Sequence, residues 1–358
     1  VDQPAQKTNG VTSPDMRLLL FAVAVTGGLF PSGILSADPI TPAHFAMAAQ
    51  YSRTHGGLGI RVEQNGRLID EDYIRGFSSS TPHRIYSGTK SFIAIGALVA
   101  EQEGLLTLSE KASDTLPEWR SGERRSITIN ELLSHTSGLS PDGGSIYGER
   151  DQMTAALDVP LVSSPGSKFH YGAIGYQAFG EILKRKLHGK SVEDFLRDKV
   201  FDPLDIDIAS WTRDKAGNPL MHSGISLTAE EWAKFGNFIN RVRNGSTREI
   251  ITPAWLATLL VGHEANPAYG IGFWLNRPPP DPRPQPIREL QLAIDGDQLY
   301  PGGPPDLIAA LGSEKQRLYM IPSLHLVIVR FGTETAFSDG DFLSRLLTGH
   351  PHPDAHSH

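Results

Sequence analysis

Three observations predict an α/β chain of the α+β kind. One antiparallel sheet is built from both chain ends and flanked by helices, and a mostly helical region is inserted between the two contributions. Near the start, "GLGIRVEQNGRLIDEDYIRG" sets two alternating runs around Asn65-Gly66, a dipeptide that suits a type I′ hairpin turn. Near the end, "LIAALG", "RLYMIP" and "HLVIVRFG" read as three short strands, with "GDFLSRLLTG" as a helix after them. Between them, from about Tyr86 to Asn276, the pattern is helical and loop-rich. There "SVEDFLRDKVF" and "LTAEEWAKFGNFINRVRNG" have helical spacing, with Ser191 and Thr228 as caps.

The 358 residues suffice for one large domain or two small ones. The stretch Met16 to Pro39 has one positive charge at Arg17, an apolar run from Leu18 to Phe30, helix breakers and then Ser36-Ala37. That layout predicts a secretory signal peptide cleaved after Ala37 and a periplasmic or secreted protein. The polar residues before Met16 read as upstream translation, so residues 1–37 are set apart from the fold. The apolar run is too short for a comfortable transmembrane helix, and no membrane span is expected in the mature protein. Residues 38–349 read as one domain, with its sheet part at about 38–85 and 287–349 and its helical part at about 86–286. "RPPPDPRPQP", Arg277 to Pro286, reads as an exposed loop. Residues 350–358 read as a disordered tail. Its His350, His352, His356 and His358 lack a supporting shell for a metal and are taken as solvated.

Composition narrows the function. A net charge of -7 gives no footprint for nucleic acid. The absence of cysteine removes disulfides, thiolate catalysis and cysteine-ligated zinc. No cofactor or metal is implied. The oligomeric state cannot be read from the sequence.

"RIYSGTKSFIAIGALVAEQEG" places Lys90 in the first turn of an otherwise apolar helix, three residues after Ser87. On a helix that spacing puts both side chains on one face. A serine hydroxyl is a poor nucleophile until a base takes its proton, and a lysine serves only when neutral. A solvated lysine near pKa 10.4 is neutral about 0.04% of the time at pH 7, and lowering it by three units costs roughly 4 kcal/mol. Burial and the positive end of the helix push in that direction. Alternatively Lys90 stays charged and holds a deprotonated tyrosine or the serine in place. The bland reading makes Ser87 a helix cap and lets Lys90 reach water.

From about Ala46 to Phe331 the chain resembles the serine β-lactamase and penicillin-binding-protein-like hydrolases. The likeness is greatest to the branch of class C β-lactamases, D-alanyl-D-alanine peptidases and family VIII carboxylesterases. "RIYSGTKSF" is similar to the nucleophile helix, "ITINELLSHTSGL" to a signature that follows it, and "FHYGAIGYQAFGEILKRK" to the segment holding the second motif, Tyr-x-Asn. "GISLTAEEWAKFG", "YGIGFW" and "LGSEKQRLYMIPSLHLVIVRFG" match later landmarks in the family's order. The resemblance implies a β-lactamase/transpeptidase-like fold. It implies Ser87 as the acylated nucleophile, Lys90 as its partner and Tyr171 as the proton shuttle. It also implies the backbone N–H groups of Ser87 and Ser313 as the oxyanion hole, and His135 as a structural residue. No Gly-x-Ser-x-Gly elbow competes with Ser87.

The chain departs from the family pattern at three places. Ala173 stands where the second motif has asparagine. The third motif falls at Ala310-Leu311-Gly312, without a cation or aromatic ring to hold a substrate carboxylate. Lys315 replaces the usual glycine before Gln316, either as a substitute cation or as a solvated hairpin lysine. Ala173, Ala310, Gly312 and Lys315 are therefore the expected substrate-side positions. These losses point to a small ester, amide or peptide substrate and to carboxylesterase-like chemistry. β-Lactamase or D-alanyl-D-alanine carboxypeptidase activity is the alternative, and a non-catalytic penicillin-binding-like protein is the rival of another class.

Overall fold

The computed structural model describes residues 40–74, 76–141, 146–278, 298–333 and 336–353. The expected signal peptide, most of the proline-rich stretch, His356 and His358 lie outside the described residues. Nine strands are described: β1 (Gly57–Gln64), β2 (Arg67–Tyr73), β3 (His83–Arg84), β4 (Ser210–Trp211), β5 (Ile225–Leu227), β6 (Trp274–Leu275), β7 (Ile308–Gly312), β8 (Gln316–Ile321) and β9 (Leu326–Gly332). Five helices have ten residues or more: α1 (Pro42–Thr54), α2 (Thr89–Gln102), α3 (Ile174–Lys186), α4 (Ala229–Arg243) and α5 (Asp339–Thr348).

The main sheet runs β2-β1-β9-β8-β7-β6 and is antiparallel throughout. The N-terminal hairpin therefore joins the C-terminal strands through β1 and β9, as the sequence predicts. Asn65 and Gly66 both have positive φ, 55° and 69°, as a type I′ turn requires. The sheet is covered on both faces. Along β8, Leu318 and Met320 enter one apolar cluster with Phe235 and Phe238 of α4. Tyr319 and Ile321 enter the other with Phe45 of α1 and Phe342 of α5. The period of two delivers alternate side chains to the two layers. Ser191 and Thr228 cap as expected, accepting from the N–H groups of Asp194 and Glu231.

Three features differ from the expected layout. The sheet takes β6 from inside the stretch expected to be helical, and a two-residue strand is too short for periodicity to reveal. A second sheet, β3-β5-β4, takes β4 and β5 from that stretch and β3 from just before it. Helix α1 precedes the hairpin, with Thr41 as N-cap and Pro42 at its first turn. That Thr-Pro pair is a start signal the sequence reading passed over. The tail also differs at its first residues. His352 is half-buried, its amide donates to Asp341 at 2.9 Å and its ring lies 5.8 Å from Tyr300. The chain packs on the domain past residue 349, and His352 is only partly exposed.

Candidate active site

The nucleophile segment is a sharp turn followed by a buried helix. Ser87 lies in the 3-10 turn Tyr86–Gly88, directly before α2, and is 8% exposed. Tyr86 takes a positive φ of 46°, a conformation uncommon outside glycine, asparagine and aspartate. Its hydroxyl donates to Glu314 at 2.6 Å, tying the turn to the β7–β8 loop. Neither the turn nor α2 has a side-chain cap, so Ser87 is not a helix cap. Every residue from Thr89 to Ala100 is buried. A helix apolar all round belongs in the core, and Lys90 goes there with it.

Lys90 is 2% exposed and does not reach water. Its Nζ lies 3.0 Å from Ser87 Oγ and donates to the His222 carbonyl at 3.1 Å. The rings of Tyr171 and Tyr176 stand 4.6 Å and 5.5 Å from the same nitrogen. Desolvation lowers its pKa to about 7, and among the described residues no carboxylate pairs with it to offset the loss of water. The asparagine that braces the lysine in the resembling family is Ala173 here. The His222 carbonyl supplies the acceptor instead.

Tyr171 sits just before α3 and is 4% exposed. Burial pushes its phenol up, eased by hydrogen bonds with Ser87 and Trp274 and by the charge of Arg317. The phenol therefore holds its proton and can give one. Burial thus shifts Lys90 and Tyr171 in opposite directions, toward a neutral amine and a neutral phenol. His135 packs beneath, with ring centroids 4.4 Å from Tyr171 and 5.2 Å from Tyr269. Burial, then the charge of Lys90, holds His135 well below the usual imidazole range. It is a neutral packing residue, as the resemblance implies.

Ser87, Lys90, Ala173 and Ser313 line one cavity of about 180 Å³ with Arg84, Tyr86, Tyr147, Gly172, His222 and Ser223. Gly312 acts through close approach rather than as lining. A Cβ there would lie 2.1 Å from the Ile85 carbonyl, so only glycine lets β7 press on the nucleophile turn. Its carbonyl accepts from Arg317 Nη1 at 3.1 Å, and Arg317 is itself paired with Asp339 at 2.6 Å. In a trans peptide the C=O and the next N–H point opposite ways, so the Ser313 N–H is turned away from Arg317.

Two expected substrate-side residues are placed elsewhere. Ala310 is 1% exposed and belongs to the apolar cluster with Ile85 and Phe92, because alternation along β7 turns it into the core. Lys315 is also buried, in the β7–β8 turn with φ 60°. Its carbonyl accepts from Arg330 and its charge acts on Asp339, so it is neither a cavity cation nor a solvated lysine. The sequence reading missed Arg84, Tyr147, His222 and Ser223. Arg84 opens the nucleophile segment "RIYSGTKSF" without being singled out, and the landmark "GISLTAEEWAKFG" begins at Gly224, one residue after Ser223.

Comparisons with known proteins show the family and the fold. A family model described as "Beta-lactamase" matches residues 46–337. Penicillin-binding protein 4 of Amycolatopsis lactamdurans is 31% identical over 207 residues, 55% of this chain and 52% of that protein. Protein flp of Staphylococcus aureus (strain MRSA252) is 26% identical over 187 residues, 47% of this chain and 37% of that one. The matched regions thus cover about half or less of these relatives' length. Among solved structures, a penicillin-binding protein homologue from Caulobacter crescentus superposes with TM-score 0.63 at 16% identity, covering 87% of this chain and 97% of that one. A family VIII carboxylesterase gives TM-score 0.63 at 17% identity, with the same coverage of 87% and 97%. At such identities the structures share the fold. The family match spans most of the chain, including the buried serine–lysine pair, and the chain belongs to the β-lactamase family.

Proposed function

We propose that this is an exported serine hydrolase that forms an acyl-enzyme on Ser87 and acts, in the manner of a carboxylesterase, on small esters or amides. The observation that carries the reading is the 3.0 Å contact between Ser87 Oγ and a buried Lys90 Nζ whose pKa is lowered to about 7. As an ammonium group, Nζ donates to Oγ. Once neutral, its lone pair accepts the Oγ proton across the same distance. The substrate carbonyl enters with its oxygen between the Ser87 and Ser313 N–H groups, where the developing oxyanion is stabilised. Oγ bonds to the carbonyl carbon as Lys90 takes its proton. Tyr171 gives its own proton to the departing alcohol or amine and recovers one from Lys90. In the second half a water attacks the ester carbon, its proton passes back through the same pair, and Ser87 leaves with a hydrogen.

Substrate class rests on what the cavity wall lacks. Ala173 offers a methyl group where a second-motif asparagine would bind an amide carbonyl, and Ala310 offers nothing because it is in the core. A hydrogen bond between neutral groups contributes about 0.5–1.5 kcal/mol and one to a charged group about 1.5–3 kcal/mol. Losing one of each lowers the specificity constant by roughly 1.5 to 3 orders of magnitude for a β-lactam. An activated short-chain ester needs neither. Steady-state assays should therefore give measurable hydrolysis of p-nitrophenyl acetate and butyrate, with penicillins and cephalosporins turned over very slowly or not at all. Efficient cephalosporin turnover would refute the substrate class. Inertness toward every ester would favour a non-catalytic binding protein.

A further inference from the structure

Arg84 lines the reaction cavity three residues before the nucleophile. It is half-buried, and no carboxylate lies within ion-pair distance of it among the described residues. The other arginine near the site, Arg317, is neutralised by Asp339. Arg84 instead donates Nε to the Ser223 carbonyl at 3.1 Å and Nη2 to the Ser223 hydroxyl at 3.4 Å. Its Cζ stands 4.8 Å over the Tyr86 ring. Among the described residues Nη1 makes no hydrogen bond. The acid at this edge, Glu314, accepts from Tyr86. The guanidinium is thus anchored at one end, stacked on a ring and left with positive charge and donors beside Ser87. Guanidinium groups presented this way recognise planar anions. The chain's net charge of -7 repels anionic ligands at long range, so a local cation is what would select one.

We propose that Arg84, with the Ser223 hydroxyl, forms an anion subsite of the reaction cavity and that the preferred substrates are esters or amides carrying a carboxylate close to the scissile bond. The subsite lies on the β3–β5 side of the cavity, whereas the missing third-motif contact belongs to β7. A flexible ester can bring its carboxylate to the β3–β5 side. The fused ring system of a penicillin holds its carboxylate in one direction, so the two predictions are compatible. The inference deepens the esterase reading and rests on it.

Two substrate pairs test it, each differing in one charge and one methyl group, with release of the phenol as the readout. 3-Acetoxybenzoate and its methyl ester carry the charge in the leaving group. The mono-4-nitrophenyl ester of adipic acid and its methyl ester carry it in the acyl group. The ratio of kcat/KM for the charged member to that for the neutral member is measured in wild type, Arg84→Gln and Arg84→Lys. The wild-type ratio should exceed about tenfold in at least one pair, mainly through KM, which also tells which side of the bond faces Arg84. It should fall to about one in Arg84→Gln, keep part of its value in Arg84→Lys and shrink with added salt. Wild-type ratios near one in both pairs overturn the subsite, as does a ratio unchanged in Arg84→Gln. Should Arg84→Gln fail to fold, the wild-type ratios and Arg84→Lys decide alone, and a complete loss of preference in a folded, active Arg84→Lys means bracing of Ser223 only. If none of the four esters is hydrolysed, the esterase reading falls and the subsite with it. Hydrolysis without preference overturns the subsite alone.

Discussion

Lys90 is held where an ammonium ion is costly, and its position next to Ser87 gives that cost a use. Its ordinary pKa near 10.4 is lowered to about 7 by desolvation, so the neutral base accumulates as pH rises through about 7. The sign follows directly: kcat/KM for a p-nitrophenyl ester should rise with pH around 7 and level off above it. Tyr171 is displaced the other way and keeps its proton over the whole of that range. Lys90→Arg should lower kcat/KM by about 10²–10⁴-fold above pH 7 and remove the rise near 7, so that the deficit shrinks toward low pH, because arginine cannot give up its proton. A wild-type profile flat from pH 5 to 9 would rule out Lys90 as the base. The serine–lysine pair was legible because both residues lie in one short segment with helical spacing. Tyr171 was legible only through the family resemblance. Arg84, His222 and Ser223 were not: the His222 carbonyl reaches Lys90 from 132 residues away, and no local motif encodes a backbone acceptor.

At the scale of elements, the site depends on β7 pressing against the turn that carries Ser87. Gly312→Ala would place a methyl group 2.1 Å from the Ile85 carbonyl, so the strand or the turn must shift. The expected result is a loss of about 1–3 kcal/mol in urea unfolding. A larger fractional loss in kcat than in KM should accompany it, because the shift moves the Ser313 amide relative to Ser87. A stable, fully active variant would show that this contact does not set the geometry. The strands at both chain ends were legible from alternation, and the hairpin from Asn65-Gly66. Ala310 was misassigned because position in a motif does not say which face of the strand a residue occupies, and Lys315 because it does not say how the β7–β8 turn folds back. The face is decided by pairing, here Ala310 opposite Leu318 in the core layer.

At the scale of the molecule, the sheet joins the two chain ends and the helical region brings Tyr171 and the His222–Ser223 segment over α2. Predicting that architecture needed only runs at both termini. The two-residue strands β3, β4 and β6 were invisible because two residues show no periodicity. The apolar run after Arg17 and the Ala37-Asp38 junction carry a separate expectation. Protein recovered from outside the cytoplasm of a native host should begin at Asp38 on N-terminal sequencing. Retention of Met16 to Ala37 would instead mean an anchor or a folded N-terminal segment.

The central claim is that Ser87 is an activated nucleophile that becomes acylated. Intact-mass spectrometry after treatment with a fluorophosphonate probe, followed by peptide mapping, tests it most directly. The account predicts one adduct per chain on the peptide containing Ser87. It also predicts no adduct in a folded Ser87→Ala variant whose melting temperature is close to that of wild type, since Ser87 caps no helix. An unlabelled wild-type protein, or a Ser87→Ala variant that still labels and still hydrolyses esters, would contradict it.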